Sequence, residues 1–232
     1  MEDVGVEPVK KLATDLGITT PLGDDLSLAL GSSEVMPIDL ATAYCAIANG
    51  GQRVEPRYIL RVGKEPVTRS DPVQALRPEV AYVLTSMMES VVGEGTARRA
   101  RRLRRPVAGK TGTTNDQKDA WFAGFTPQMV AVVWVGFDKP RRLGRRETGS
   151  KAALPIWVRF MRCALKGRPR LPFRQPPGVV VQRIDPETGL LAPEGATDVL
   201  EEVFVEGTAP TEVAPQQDQV NPDTILMTPD VP

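Results

Sequence analysis

The residues of this sequence best suited to chemistry are a lysine and three threonines in the stretch Lys110-Thr111-Gly112-Thr113-Thr114. A lysine ammonium attracts anionic groups, and a threonine hydroxyl can donate a hydrogen bond to a carboxylate. Glycine has no side chain, so a second backbone can lie close to the chain at that position and pair with it. These residue types could hold a peptide carboxylate along an extended segment, and the alternative is a solvent-exposed edge strand with an ordinary lysine.

Gly-Lys-Thr also occurs in phosphate-binding P-loops, which require G-x-x-x-x-G-K-[ST] between a buried strand and a helix. Arg104 occupies the position of the first glycine, an arginine-rich stretch precedes the motif, and no helical pattern follows it. The P-loop interpretation is therefore disfavoured. The alternative is a K-T-G motif borne on a strand.

The segments around and after the motif predict strands. Three apolar or alternating runs are separated by short polar breaks: residues 107–114, Asp119–Phe125 and Met129–Phe137. Such a series predicts an antiparallel meander, with the lysine and the threonines on its first strand.

The segment from Gly109 to Asp138 resembles the transpeptidase domain of class A (bifunctional) penicillin-binding proteins of the 1A kind. The resemblance covers most of residues 1 to about 210, and its supporting segments are Ala29–Ser32, Pro37–Gly51, Gly95–Ala97, Gly149–Phe160 and Phe204–Pro210. It implies an α/β (α+β) fold: the C-terminal half of a serine β-lactamase or D,D-transpeptidase-like fold, with an antiparallel sheet flanked by helices.

The resemblance also implies a function and a site. Lys110 and Thr113 would take part in catalysis, and the backbone N–H of Thr113 would help to hold an oxyanion. The substrate-binding residues would be Lys110, Thr111, Gly112, Thr113 and Thr114. The ligands would be peptidoglycan stem peptides and β-lactams, at the cell envelope outside the cytoplasmic membrane, without a cofactor or metal.

Members of this family transfer an acyl group through a serine in an S-x-x-K motif, supported by an S-x-N motif. Neither motif occurs at any of the seven serines: Ser27, Ser32, Ser33, Ser70, Ser86, Ser90 and Ser150. We therefore expect a truncated domain that is inactive alone and depends on an upstream half or a full-length synthase. The alternative is a non-catalytic module that binds cell-wall peptide or a synthase.

The rest of the chain predicts further elements. Helices are expected over 6–17, 37–49, 78–92 and 153–166, extended segments over 54–62 and 179–184, and a small hairpin that closes near 203–205. The residue before Pro37 is methionine, so the second helix lacks a side-chain cap. The predicted domains are residues 1–167 (a partial transpeptidase domain), 168–210 (a β-hairpin extension) and 211–232 (an acidic, proline-bearing disordered tail).

Composition excludes some functions. The chain has 29 basic and 29 acidic residues and no histidine, which excludes histidine bases and histidine zinc sites. No stretch reaches the roughly 20 apolar residues of a membrane span, and the N-terminus lacks the pattern of a signal peptide. Cys45 and Cys163 fall in predicted helices and are expected in the core.

Six arginines between Arg98 and Arg105 could bind an anionic partner, together with the basic residues 141–146. The stretch has no interleaved aromatic residues for base stacking, so a solvated loop is preferred over a nucleic-acid site. We also expect a three-stranded sheet with one uncovered face to be marginally stable in isolation.

Overall fold

The computed structural model describes residues 1–215, and the chain divides into two compact units, Met1–Val179 and Val180–Pro232. Among the described residues no helix is both long enough and apolar enough to cross a membrane. The first unit holds four α-helices: α1 (Val6–Leu16), α2 (Pro37–Ala48), α3 (Pro78–Gly93) and α4 (Leu154–Ala164).

The ends of these helices follow local chemistry, and the four predicted helices are confirmed to within a few residues. Gly17 ends α1 in the left-handed conformation, with φ 109°. Prolines in the first turns of α2, α3 and α4 occupy positions where a missing N–H costs nothing. Met36 gives α2 no side-chain cap, as its residue type predicts.

The extended segment predicted for residues 54–62 is wrong as a single strand. The structure has four two-residue strands instead: β1 (Gln52–Arg53) pairs with β4 (Val73–Gln74), and β2 (Arg61–Val62) pairs with β3 (Glu65–Pro66). Pro56 has no N–H to donate and lies between β1 and β2, so no continuous ladder forms there.

The predicted meander is confirmed. β5 (Ala108–Thr113), β6 (Ala120–Thr126) and β7 (Met129–Val135) form an antiparallel sheet in the order β5-β6-β7. Lys110 is opposite Ala123, which is opposite Val132. β5 is an edge strand within the described residues.

Helices cover both faces of this sheet. On one face the Phe122 ring meets the fully buried Trp157 of α4 edge-on, with 5.1 Å between ring centroids. On the other face Phe125 meets Tyr44 of α2 edge-on at 6.3 Å, beside Met88 of α3. The expectation of one wholly uncovered face is therefore wrong, because α2 and α3 cover one end of it.

Two predictions about buried side chains are also wrong. The helical spacing of the apolar residues predicts Ile38 and Met87 on the buried sides of α2 and α3, but they are 40% and 61% exposed. The most buried position of α2 is Ala46, which is 0% exposed, because a small residue lets the helix approach its neighbours closely. Cys163 is exposed on α4 rather than in the core.

The second unit contains the pair β8 (Val179–Ile184) and β9 (Leu200–Val205). Asp185 begins a turn after β8: its carboxylate accepts from the hydroxyl and the N–H of Thr188, which lowers the pKa of that carboxyl. Backbone pairing continues beyond residue 211, since the N–H of Ala214 donates to the Leu191 carbonyl at 2.8 Å. The predicted disorder is therefore wrong for residues 211–215, and the rest of that tail lies outside the described residues.

Candidate functional site

β5 presents the K-T-G residues along its unpaired edge. Side chains alternate between the two faces of a strand, so Lys110 lies on the face of α2 and α3, while Thr111 and Thr113 lie on the face of α4. Lys110 is exposed, and its Nζ donates to the Thr111 carbonyl at 2.9 Å. A ligand that reaches both the ammonium and the hydroxyls must lie along the strand edge.

Both threonine hydroxyls on the α4 face are held by partners remote in sequence. The hydroxyls of Thr111 and Thr96 lie 2.7 Å apart, and Thr96 follows α3. The Thr113 hydroxyl accepts from the backbone N–H of Gly149 at 3.0 Å. Because a hydroxyl oxygen that accepts one hydrogen bond retains its proton, Thr113 can still donate to an anion at the strand edge.

Gly149 approaches the K-T-G strand more closely than any side chain would permit. A Cβ atom at this position would lie 2.3 Å from the Trp121 carbonyl oxygen and 2.5 Å from that of Gly112. Gly149 begins a short π-helical turn, Gly149–Ala153, that leads directly into α4. The register between β5 and α4 therefore depends on glycine here.

The last threonine of the motif lies beyond β5 and holds the loop between β5 and β6. The Thr114 hydroxyl accepts from the Asp119 N–H at 2.8 Å, and Asp119 Oδ1 accepts from the Trp134 indole at 2.9 Å. The same loop is tied by an ion pair between Asp116 and Arg142 at 2.8 Å. This arginine lowers the pKa of the Asp116 carboxyl.

The arginine-rich stretch has two different roles. Residues Arg98–Leu103 form a 3-10 turn rather than the expected loop, with Ala100 and Leu103 buried. Arg105 is structural: its guanidinium donates to the carbonyls of Leu165, Arg168 and Pro169, just after α4. Arg105 is therefore not available to an anionic partner.

The strand edge presents an exposed ammonium and two threonine hydroxyls, and groups of this kind can hold an anionic ligand. All seven serines are among the described residues, and none shares a hydrogen bond with a lysine ammonium there. Sequence reasoning missed the contacts of Thr96 and Gly149, although both residues fall in segments that support the family resemblance.

Two family models match the chain. The penicillin binding protein transpeptidase domain matches residues 5–162, and the C-terminal domain of penicillin-binding protein 1A matches residues 175–218. The predicted domain boundaries at 167 and 210 stay predictions.

Relatives of the chain are also penicillin-binding proteins. Penicillin-binding protein 1A of Pseudomonas aeruginosa is 36% identical over 92% of this chain and 33% of its own length. The protein of the same name from Aquifex aeolicus is 40% identical over 90% of the chain and 29% of its own length. The chain thus spans about a third of the length of these relatives.

A crystal structure of penicillin-binding protein 1A from Haemophilus influenzae superposes with a TM-score of 0.80 at 29% identity, over 90% of this chain and 37% of that one. The predicted fold class, an antiparallel sheet flanked by helices in the β-lactamase and D,D-transpeptidase manner, is confirmed. The chain belongs to the penicillin-binding transpeptidase family and corresponds to part of the transpeptidase domain of a penicillin-binding protein 1A-like peptidoglycan synthase.

Proposed function

We propose that this chain forms the carboxylate-binding wall of a D,D-transpeptidase cleft that cross-links peptidoglycan stem peptides at the outer side of the cytoplasmic membrane. The observation that carries the proposal is the edge of β5, which pairs with no strand among residues 1–215, where Lys110 is exposed and the Thr113 hydroxyl accepts from the Gly149 N–H. The proposed ligands are stem peptides and the β-lactams that compete with them.

Each residue of the motif has a proposed role. The Lys110 ammonium attracts the substrate carboxylate and raises the local positive potential near a nucleophile. The hydroxyls of Thr111 and Thr113 donate to that carboxylate, and the Thr113 N–H helps to hold the oxyanion. Gly112 lets the substrate backbone pair with β5. Thr114 supports the loop and contributes to binding indirectly, through its contact with Asp119.

The nucleophile must come from elsewhere, since no serine of this chain has a lysine three residues later. Acyl transfer needs a serine alcohol to attack the D-alanyl carbonyl, release the terminal D-alanine and pass the acyl group to an amine. We propose that an upstream half, or a full-length synthase, supplies this serine and its lysine.

A chimera tests the proposal. In it, this chain replaces the matching third of Penicillin-binding protein 1A of Pseudomonas aeruginosa, and acylation by a fluorescent penicillin is followed. The Lys110→Ala change should slow acylation roughly 10- to 150-fold, because a charge-assisted hydrogen bond contributes about 1.5–3 kcal/mol. Lys118→Ala is the matched control: it removes an equal, partly exposed charge outside β5.

The control is expected to acylate at the parent rate. Equal effects of Lys110→Ala and Lys118→Ala would mean that bulk charge, rather than the strand edge, governs acylation. A chimera that folds but is acylated independently of Lys110 would refute the proposed role of β5.

A second candidate is a non-catalytic module that binds cell-wall peptide, favoured by the absence of both serine motifs. Calorimetric titration of the chain with a stem peptide that ends in D-Ala-D-Ala separates the two. Binding that is weakened by Thr113→Val, without any acylation of the chimera, would favour the module.

A further inference from the structure

The Thr96 side chain reaches the K-T-G strand from outside the motif. Its hydroxyl oxygen lies 2.7 Å from the hydroxyl oxygen of Thr111, a distance at which one hydroxyl donates a hydrogen bond to the other. Thr96 lies in the turn between the end of α3 and the 3-10 turn Arg98–Leu103. The contact therefore joins a loop side chain to a side chain of the candidate binding site.

The turn that carries Thr96 is held by its backbone and by its neighbours in sequence. The Ala97 N–H donates to the Val91 carbonyl at 3.1 Å, and the Ala97 side chain is fully buried in the core cluster between the sheet and α4. Gly95 packs so closely on α3 that a Cβ atom there would lie 2.9 Å from the Val91 carbonyl oxygen. These contacts fix the place of Thr96 without its hydroxyl, which is left to serve Thr111.

The two threonine hydroxyls of β5 differ in what their partners can donate. The partner of Thr113 is the Gly149 N–H, which can only donate, so the Thr113 proton stays available to a ligand. The hydroxyls of Thr96 and Thr111 have two protons between them, and their mutual hydrogen bond uses one. The Thr111 proton is therefore available to a ligand only when Thr96 is the donor of that bond.

A carboxylate ligand selects this direction of the hydrogen bond. Thr111 and Thr113 are two residues apart on one strand, so they share a face at a separation of about 7 Å. A carboxylate has two acceptor oxygens and can lie between two hydroxyls that both donate to it. In the chain of bonds from Thr96 to Thr111 to the carboxylate, the dipoles align and each bond strengthens the next.

We propose that Thr96 is a positioning residue of the carboxylate site: its hydroxyl donates to Thr111 and so directs the Thr111 proton to the ligand carboxylate. This role rests on the proposed transpeptidase function and adds to it a residue outside the K-T-G motif. Two properties distinguish it from a role in holding the turn. The effect of Thr96 depends on the negative charge of the ligand, and it passes through the Thr111 hydroxyl.

Acylation of the chimera with the Pseudomonas protein tests this role, with benzylpenicillin and its uncharged methyl ester as the two probes. Thr96→Val keeps the shape of the side chain and removes the hydroxyl. It should lower the second-order rate constant for benzylpenicillin roughly 2- to 12-fold, the contribution of one hydrogen bond, while the ester reacts at close to the parent rate. Thr96→Ser keeps the hydroxyl and should behave like the parent. In a Thr111→Val background, Thr96→Val should have no further effect.

Thr14→Val is the matched control, because this exposed hydroxyl of α1 donates to the Lys10 carbonyl of its own helix at 3.0 Å; both rate constants should stay unchanged. Equal slowing of both probes by Thr96→Val would show a merely structural role and overturn the assignment. So would additive effects of Thr96→Val and Thr111→Val, or a Thr96→Ser variant as slow as Thr96→Val. Parent-like acylation of Thr96→Val in a chimera that Lys110→Ala slows would overturn the role of Thr96 alone, whereas a chimera insensitive to both changes would refute the proposed function too.

Discussion

Replacing Arg105 by methionine is expected to destabilise the first unit by detaching the end of α4. Methionine keeps most of the apolar stem, so the change isolates the guanidinium and its hydrogen bonds. The guanidinium N–H groups that are lost donate to the carbonyls of Leu165 at 2.9 Å, Arg168 at 2.6 Å and Pro169 at 2.6 Å. The Leu165 carbonyl also accepts from the Arg168 N–H at 3.1 Å, whereas the carbonyls of Arg168 and Pro169 accept from no backbone N–H among the described residues.

The size of the effect follows from these contacts. The partly buried, charge-assisted bond to Leu165 should contribute about 1.5 kcal/mol, and the two exposed bonds about 0.5 kcal/mol each. A positive charge at the C-terminus of a helix adds about 0.3–1 kcal/mol. We therefore expect Arg105→Met to lower the free energy of unfolding by about 3–3.5 kcal/mol, which is roughly 6–14 °C in Tm for a chain of this size.

Urea unfolding followed by circular dichroism measures this loss. Arg105→Lys should lose about half as much, since an ammonium keeps the charge but cannot reach three divergent carbonyls. Arg102→Met is the matched control, because this exposed side chain has no hydrogen-bond partner among the described residues, and should change stability by less than about 0.5 kcal/mol. Equal losses for Arg105→Met and Arg102→Met would refute the structural role assigned to Arg105.

Two further predictions concern the K-T-G strand and the packing behind it. Gly149→Ala should lower the free energy of unfolding by about 3 kcal/mol or more and slow acylation of the chimera, because its Cβ would lie 2.3 Å from the Trp121 carbonyl oxygen. Gly93→Ala is the control and should change stability little, because its Cβ would meet no atom within 4 Å. Burial raises the pKa of Tyr44 to about 12. Because the folded-state pKa of Tyr44 lies above the unfolded value near 10, the neutral phenol contributes its full stabilisation of the folded state below pH 10. This contribution to the free energy of unfolding is lost between about pH 10 and 12. Unfolding free energies measured across that range should fall for the parent and fall less for Tyr44→Phe; parallel curves would contradict the assignment.

Local patterns predicted most of the fold in the first unit. The helices were predictable because proline at the start and glycine at the end mark their limits, as at Pro37 and Gly17. The meander was predictable because its three runs have strand periodicity and short breaks. Periodicity alone could not show that Met87 is exposed, because the buried face of a helix depends on which neighbours it packs against.

The residues of the candidate site could be named from the sequence, but the contacts that hold them in place could not. Lys110 and Thr113 were identifiable from residue types, spacing and the family resemblance. The contacts of Thr111 with Thr96 and of Thr113 with Gly149 span 15 and 36 residues along the chain, and no local pattern encodes them. The same is true of Arg105, whose sequence context is that of a solvated basic loop, whereas its carbonyl partners lie 60 to 64 residues further along the chain.

Intact mass after incubation with a penicillin is the most direct test of the central claim, that β5 forms one wall of a cleft whose nucleophile lies outside this chain. The purified chain should show no added mass, and the chimera with the Pseudomonas protein should gain the mass of one drug molecule. An adduct on the chain alone that disappears on replacing one of its seven serines would contradict the claim. A folded chimera that gains no mass would contradict it equally.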